Sequence, residues 1–281
     1  DEKVSLAKRT QLRLRNSAQL STLDHLDVAL SPTPWQKTAF PDAYRHKIGV
    51  CHDGIDVHRC RPNPQGTLKM PDGRVLRAGD PVVTYVARDL EPYRGFPTFM
   101  RSAAKLAARN PDAVFVVAGG DGVSYGTPRT DGRKWRDVMM EETGLDPSRI
   151  YFLGQISHEH LIRLFQISAA HIYLTYPFVL SWSVLEAMAC GAAVIASDTG
   201  PCHDVIKDRH NGLLTDFWDA DALADKMIYS LENPAQLIPL RQEARRTITQ
   251  HFALQKCLEK QTSLIERLAA GEIERVVGRR G

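Results

Sequence analysis

The sequence predicts an α/β fold: a doubly wound parallel sheet of the Rossmann-like type, with part of a second domain before it. Two observations carry this expectation. From Asp80 onward short apolar runs alternate with amphipathic stretches, and the runs are apolar throughout, as in strands covered by helices on both faces. The stretches between them have helical spacing and recognisable caps.

Taken in chain order, Leu6–Leu23 is expected to be a helix and Val28–Ser31 a short strand. Ser31-Pro32-Thr33-Pro34-Trp35 reads as a turn into a short helix ending near Phe40-Pro41, and Lys47–His52 as another strand. Thr67–Leu76 reads as a hairpin turning at Pro71-Asp72-Gly73. These first eighty or so residues are too few for an independent doubly wound domain. The buried strands follow at Pro81–Ala87, Ala113–Ala118, Ile150–Leu153, His171–Thr175, Ala192–Ala196 and Gly212–Thr215. Gly95–Arg109 carries Phe96, Phe99, Met100, Ala103, Leu106 and Ala107 at helical spacing and stops before Asn110-Pro111. Ser157 is placed to cap His158–Ile167, and Asp219 to cap the helix holding Leu223, Met227, Ile228 and Leu231. Ser183–Cys190 is a short helix closed by Gly191. Past Asn233-Pro234 and Pro239, helices carry the apolar series Leu254, Cys257, Leu258, Leu264, Ile265 and Leu268.

Composition narrows the class. A chain of 281 residues, 43% hydrophobic and 25% charged, holds one substantial core or a core plus part of another, and is neither disordered nor fibrous. No apolar run approaches the length of a membrane span. The start has neither an initiator Met nor a signal pattern, so a mature or truncated product is expected. Cys51, Cys60, Cys190, Cys202 and Cys257 are odd in number and show no Cys-x-x-Cys spacing, which argues for a reducing cytoplasm over a disulfide framework or zinc ribbon. With 36 basic against 33 acidic residues there is no nucleic-acid footprint. Local basic clusters at Lys3, Lys8, Arg9, Arg13, Arg15 and at Arg279-Arg280 read first as solvated surface, and second as a surface near anionic lipid or an acidic partner.

Ligands of open parallel sheets bind at the carboxyl ends of strands. After the first such strand, Arg88 and Arg94-Gly95 put two guanidinium groups beside a helix start, a combination suited to phosphate, although two surface arginines would read the same. Gly119-Gly120-Asp121-Gly122 follows the second strand; it allows a sharp turn or close ligand approach and is a weak signal alone. Leu153-Gly154-Gln155-Ile156-Ser157 follows the third, where backbone groups could meet a base edge or simply turn into a helix. After the fourth strand, Leu180, Ser181, Trp182, Ser183 and Val184 lead into a helix whose free N–H groups suit a phosphate, with Glu186 a turn inside to take the paired hydroxyls of a ribose. The alternative for Glu186 is a charge satisfied by the helix dipole. Asp219-Ala220-Asp221 is read as a cap rather than a metal triplet. The histidines of His158-Glu159-His160 do not share a helix face, Cys202-His203 has no second ligand pair, and no metal site is assigned.

In this order and at these intervals, Arg88…Arg94-Gly95, Gly119-Gly120-Asp121-Gly122, Phe152–Ser157 and Leu185-Glu186-Ala187-Met188-Ala189-Cys190-Gly191 through Ser197 resemble a family. It is the retaining glycosyltransferases of GT-B architecture that include sucrose synthases and bacterial mannosyltransferases, and the resemblance, over Ser31 to Asn233, is to their C-terminal, nucleotide-sugar-binding domain. It implies that Arg88 and Arg94, arginine standing in the usual lysine place, neutralise the leaving diphosphate. Gly119, Gln155, Ile156 and the Leu180–Val184 turn would bind the nucleotide, with Gln155 and Ile156 at the base and Glu186 on the ribose. The first glutamate of the family's Glu-x7-Glu motif is replaced by Phe178, and Asp53 stands where asparagine is common.

The implied domains are 1–55, the remnant of an acceptor-side domain and the crossing from it; 56–233, the nucleotide-sugar domain; and 234–281, helices packing back toward the first. The family's active-site histidine would come from upstream of Asp1, so no general base is assigned. The expected activity is metal-independent transfer of a sugar, with retention, from a nucleotide-diphosphate sugar and without a prosthetic group. The acceptor would be a glycan or lipid-linked molecule in bacterial polysaccharide or glycolipid assembly, handled in the cytoplasm with peripheral contact at the inner membrane face through the upstream domain. A nucleotide-sugar epimerase of the same architecture and a nucleotide-binding module inactive as a fragment are the alternatives.

Overall fold

A computed structural model of the chain describes residues 5–272. Lys3 and Arg279-Arg280 of the basic clusters lie outside the described residues, while Lys8, Arg9, Arg13 and Arg15 are exposed on the first helix. The chain divides into two compact units, one from Asp53 to Leu258 and one of the residues before and after it.

The smaller unit contains α1 (Leu6–His25), β1 (Ala29–Ser31), α2 (Pro34–Thr38), α3 (Asp42–Arg45) and β2 (Ile48–Val50). Ser5 caps α1 by accepting from the Lys8 amide at 3.2 Å. At the other end, the Lys47 ammonium donates to the carbonyls of Leu23, Asp24 and Leu26 at 3.1, 3.2 and 3.0 Å, satisfying groups a helix terminus leaves open. β1 and β2 pair in parallel. Where one short helix was expected up to Pro41, there are two: proline cannot continue a helix but can precede one, and α3 starts directly after it.

In the larger unit β3 (Thr67–Lys69) and β4 (Val75–Arg77) form the expected antiparallel hairpin. Then come β5 (Val82–Asp89), α4 (Phe96–Arg109), β6 (Val114–Gly120), α5 (Trp135–Thr143), β7 (Ile150–Phe152), α6 (His158–Ile167) and β8 (Ala170–Tyr173). They are followed by α7 (Trp182–Ala189), β9 (Val194–Ser197), α8 (Gly200–His203), β10 (Leu213–Thr215), α9 (Ala220–Glu232) and α10 (Ile238–His251); α11 (Leu254–Ala269) begins in this unit, and from Glu259 onward its residues belong to the smaller one. The six strands β5–β10 form one parallel sheet in the order β7-β6-β5-β8-β9-β10. The chain starts in the middle, winds out to β7, returns beside β5 with β8 and winds the other way. The winding reverses between β5 and β8, where a crevice opens at the strands' carboxyl ends.

The unbroken apolar strands follow from this arrangement. On β6, Phe115 and Val117 pack with Phe96, Phe99, Met139 and Met227 on one face, while Val114, Val116 and Ala118 pack with Leu164, Ile167 and the hairpin's Leu68 and Leu76 on the other. α5 was not anticipated, because Met139 is its one fully buried residue and leaves hardly any apolar stripe to read. A polar knot crosses the join between the two windings. Thr84 Oγ1 of β5 lies 2.8 Å from Ser168 Oγ and 2.9 Å from His171 Nδ1 of β8. Full burial pushes the His171 imidazole down from its ordinary 6.5 to about 3. No described helix is long and apolar enough to cross a membrane, and no disulfide joins any of the five cysteines.

Candidate functional site

At the crevice between β5 and β8 lies a cavity of about 530 Å³. Of the residues singled out above, Arg88, Arg94, Gly119, Gln155, Ile156, Ser181 and Ser183 line it. Leu180 and Val184 are buried in the core behind it. Trp182 is exposed, and its indole N–H donates to Asp53 Oδ2 at 3.2 Å. Trp182 and Glu186 are not among the lining residues.

The two arginines are held differently. Arg88, at the end of β5, is exposed, and its side chain makes no hydrogen bond or ion pair with the described residues. Arg94 is tied down: its Nη1 donates to Thr175 Oγ1 at 2.9 Å, and its guanidinium lies 4.8 Å from the Tyr125 ring and 5.7 Å from the Phe178 ring. Phe178 and Tyr125 meet edge to face at 4.9 Å, so Phe178 forms part of a cage around Arg94. The Arg94 carbonyl accepts from the Tyr85 hydroxyl at 2.6 Å. Burial pushes that phenol up. Behind Arg94, Gly95 has φ +69°, and a Cβ there would lie 2.4 Å from Leu174 Cβ, so the turn into α4 has room only for glycine.

Two acidic residues of the same loop, not assigned from the sequence, clamp the segment after β6. Asp89 accepts from the Gly122 amide at 3.1 Å and from the Ser124 hydroxyl. Glu91, fully buried, accepts from the amides of Tyr125 at 3.1 Å and Gly126 at 2.9 Å. These contacts bring Tyr125 over Arg94. Gly119 has a packing reason as well as a place in the wall, since a Cβ would meet the Ala87 carbonyl oxygen at 2.6 Å.

On the far side α7 begins at the cavity. Ser181 caps it: its Oγ accepts from the Ser183 amide at 3.3 Å, and its own amide donates to the Tyr173 hydroxyl at 2.9 Å. Burial pushes the Tyr173 phenol up to about 12. The remaining first-turn N–H groups leave this helix start able to accept an anion. Glu186, further along α7, is bound by His158, whose Nε2 lies 2.7 Å from Glu186 Oε1. The contact joins positions 28 apart on different helices, so no local pattern announces it. Cys60 Sγ also comes within 4.8 Å of both ligand atoms, a thiol, imidazole and carboxylate set whose chemistry would suit zinc. A hydrogen bond with Cys60, and then burial, pushes the neighbouring Cys190 thiol up.

The Asp219 side chain accepts from the amides of Asp221 and Ala222 at 3.0 and 2.8 Å, the capping role expected of it. His203 Nε2 pairs with Asp198 at 2.5 Å, and Cys202 is buried.

With this geometry the chain matches known proteins. The family described as "Glycosyl transferases group 1" matches residues 69–250, and "Glycosyl transferase family 4 group" matches residues 1–60. The chain is similar to D-inositol 3-phosphate glycosyltransferase of Rhodococcus jostii, 28% identical over 207 residues, which are 72% of this chain and 43% of that protein. It spans about half the length of the curated relatives it matches. Among solved structures it is similar to sucrose-phosphate synthase from Thermosynechococcus elongatus, with TM-score 0.76 and 22% identity over 92% of this chain and 62% of that one. It is also similar to Anabaena HepE in complex with UDP and glucose, with TM-score 0.75 and 18% identity over 94% of this chain and 69% of that one. At such identities the likeness shows the fold, which is the expected GT-B type.

Proposed function

The chain belongs to the group 1 glycosyl transferases, and from that premise we propose that its larger unit binds a nucleotide-diphosphate sugar for transfer to an acceptor with retention at the anomeric carbon. One observation carries the reading: the cavity at the strand reversal has in one wall an arginine, Arg88, that is unpaired among the described residues, and the start of α7 in another. Both supply positive potential where a diphosphate would depart. Charge developing on that group as the glycosidic bond breaks is offset by Arg88, by Arg94 inside its cage and by the first-turn N–H groups of α7. Gln155 and Ile156 meet the base, Gly119 leaves space in the wall, and Glu186 takes the ribose hydroxyls. The acceptor is proposed to be a glycan or a lipid-linked molecule, met at the cytoplasmic face of a bacterial membrane through residues outside the described cavity.

The test is calorimetry with UDP, ADP and GDP, each beside its nucleoside; HepE, which holds UDP, makes UDP the first choice. One diphosphate is expected to bind and to raise the melting temperature by mass action. Arg88→Ala should weaken the diphosphate far more than the nucleoside. Equal losses for both would refute the assignment of Arg88.

A further inference from the structure

Glu186 stands among buried Leu185, Ala187 and Met188 on α7, and its own side chain is 10% exposed. A carboxylate in such surroundings needs a fixed partner, because burying an unpaired charge is costly. Among the described residues that partner is His158, whose Nε2 lies 2.7 Å from Oε1. Its place is set by a cap: Ser157 accepts from the His160 amide at 3.3 Å and fixes the start of α6, so His158 occupies the first helical position. α6 packs against α7. The imidazole is 46% exposed and is the outer member of the pair.

An ionised carboxylate can only accept, so Nε2 is the donor. With about four acceptor directions on the two oxygens, one N–H leaves enough capacity for two neighbouring hydroxyls while holding the carboxylate in a single orientation. We infer that His158 is a positioning residue for ribose recognition, holding Glu186 toward the ribose diol and thereby setting the preference for ribonucleotides over 2′-deoxyribonucleotides. The inference rests on the reading of Glu186 given under the proposed function.

The experiment measures the dissociation constants of the diphosphate that binds, UDP, ADP or GDP, and of its 2′-deoxy form. The proteins are the unaltered chain, His158→Ala, His158→Leu, His158→Gln and Glu186→Gln. The unaltered chain is expected to favour the ribose form about tenfold or more. His158→Ala and His158→Leu should bring the ratio to within about threefold of one, with little change in affinity for the 2′-deoxy form. His158→Gln, whose amide still donates, should keep most of the ratio. An unchanged ratio in the Ala and Leu variants, or a raised one, overturns the inference, a raised one meaning that the imidazole competes with the ribose. A Glu186→Gln protein with the unaltered chain's ratio overturns the role of Glu186 itself. A chain that binds none of the three diphosphates overturns the proposed function. His158 is half exposed, so its truncation leaves the core packed, and thermal unfolding verifies this.

Discussion

The two windings of the sheet present different rims to the cavity. On the β5–β6 side nearly every polar side chain is committed: Asp89 to Gly122 and Ser124, Glu91 to Tyr125 and Gly126, and Arg94 to Thr175 and two rings. Arg88 is left uncommitted. On the β8–α7 side Tyr176, Phe178 and Val179 are exposed, and the polar groups are a helix start and a carboxylate held from another helix. A rim made of loops has to be rigidified by its own side chains, whereas a helix start has its donors aimed by the backbone.

The largest way to break this contrast is Gly95→Ala. It forces a Cβ into Leu174 at positive φ and should cost about 3–5 kcal/mol, read as a fall in denaturant midpoint. Next comes Glu91→Ala, which removes a buried carboxylate and strips the Tyr125 and Gly126 amides of their acceptor. About 2–3 kcal/mol of stability should be lost, with earlier proteolysis at residues 121–126 than in the unaltered chain. Arg88→Ala should leave stability alone and weaken diphosphate binding about 10- to 100-fold by calorimetry, separating the free arginine from the clamped loop around it.

The join between the windings predicts a pH effect. His171 is neutral in the folded chain, with its value lowered from 6.5 to about 3, so below the higher value the unfolded chain takes up a proton that the folded chain refuses. This residue's contribution should therefore be lost as pH falls, by about 2 kcal/mol between about pH 7.5 and about pH 5. His171→Gln should show a correspondingly flatter melting profile, and parallel profiles would remove His171 as the cause. The smallest effect expected is that of Phe178→Ala, which opens one side of the Arg94 cage. Diphosphate affinity should drop only about two- to fivefold, through about 0.5–1 kcal/mol of lost ring contact.

The strands, the Ser157 and Asp219 caps and the parallel sheet covered on both faces were legible because burial on two faces and capping leave short-range marks. Around Pro41 and in α5 that signal faded: one proline both ends and precedes helices, and one buried methionine makes no stripe. Within the site, sequence marks position but not commitment. Arg88 and Arg94 look alike in the chain, yet partners far along it, Tyr125, Thr175 and Phe178, hold one and leave the other. The run from Leu180 to Val184 reads as one contact surface, whereas helix geometry turns Ser181 and Ser183 to the cavity and sends Val184 into the core. On its own helix His158 has no second ligand on its face, and its partner, Glu186, lies on another helix 28 positions away.

The polar knot of Thr84, Ser168 and His171 has a consequence for assembly. β5 is made before either of its neighbours, and when β6 and β7 have joined it, its other edge, with Val82, Val83, Tyr85 and Val86, still waits for β8. A bare strand of that composition invites whatever strand comes near. An intruder, or β8 slipped by one residue, would bury the Thr84 hydroxyl without Ser168 and His171 opposite, whereas the correct arrival satisfies it from both. Three polar side chains in the middle of an apolar sheet thus act as a password between strands that meet late.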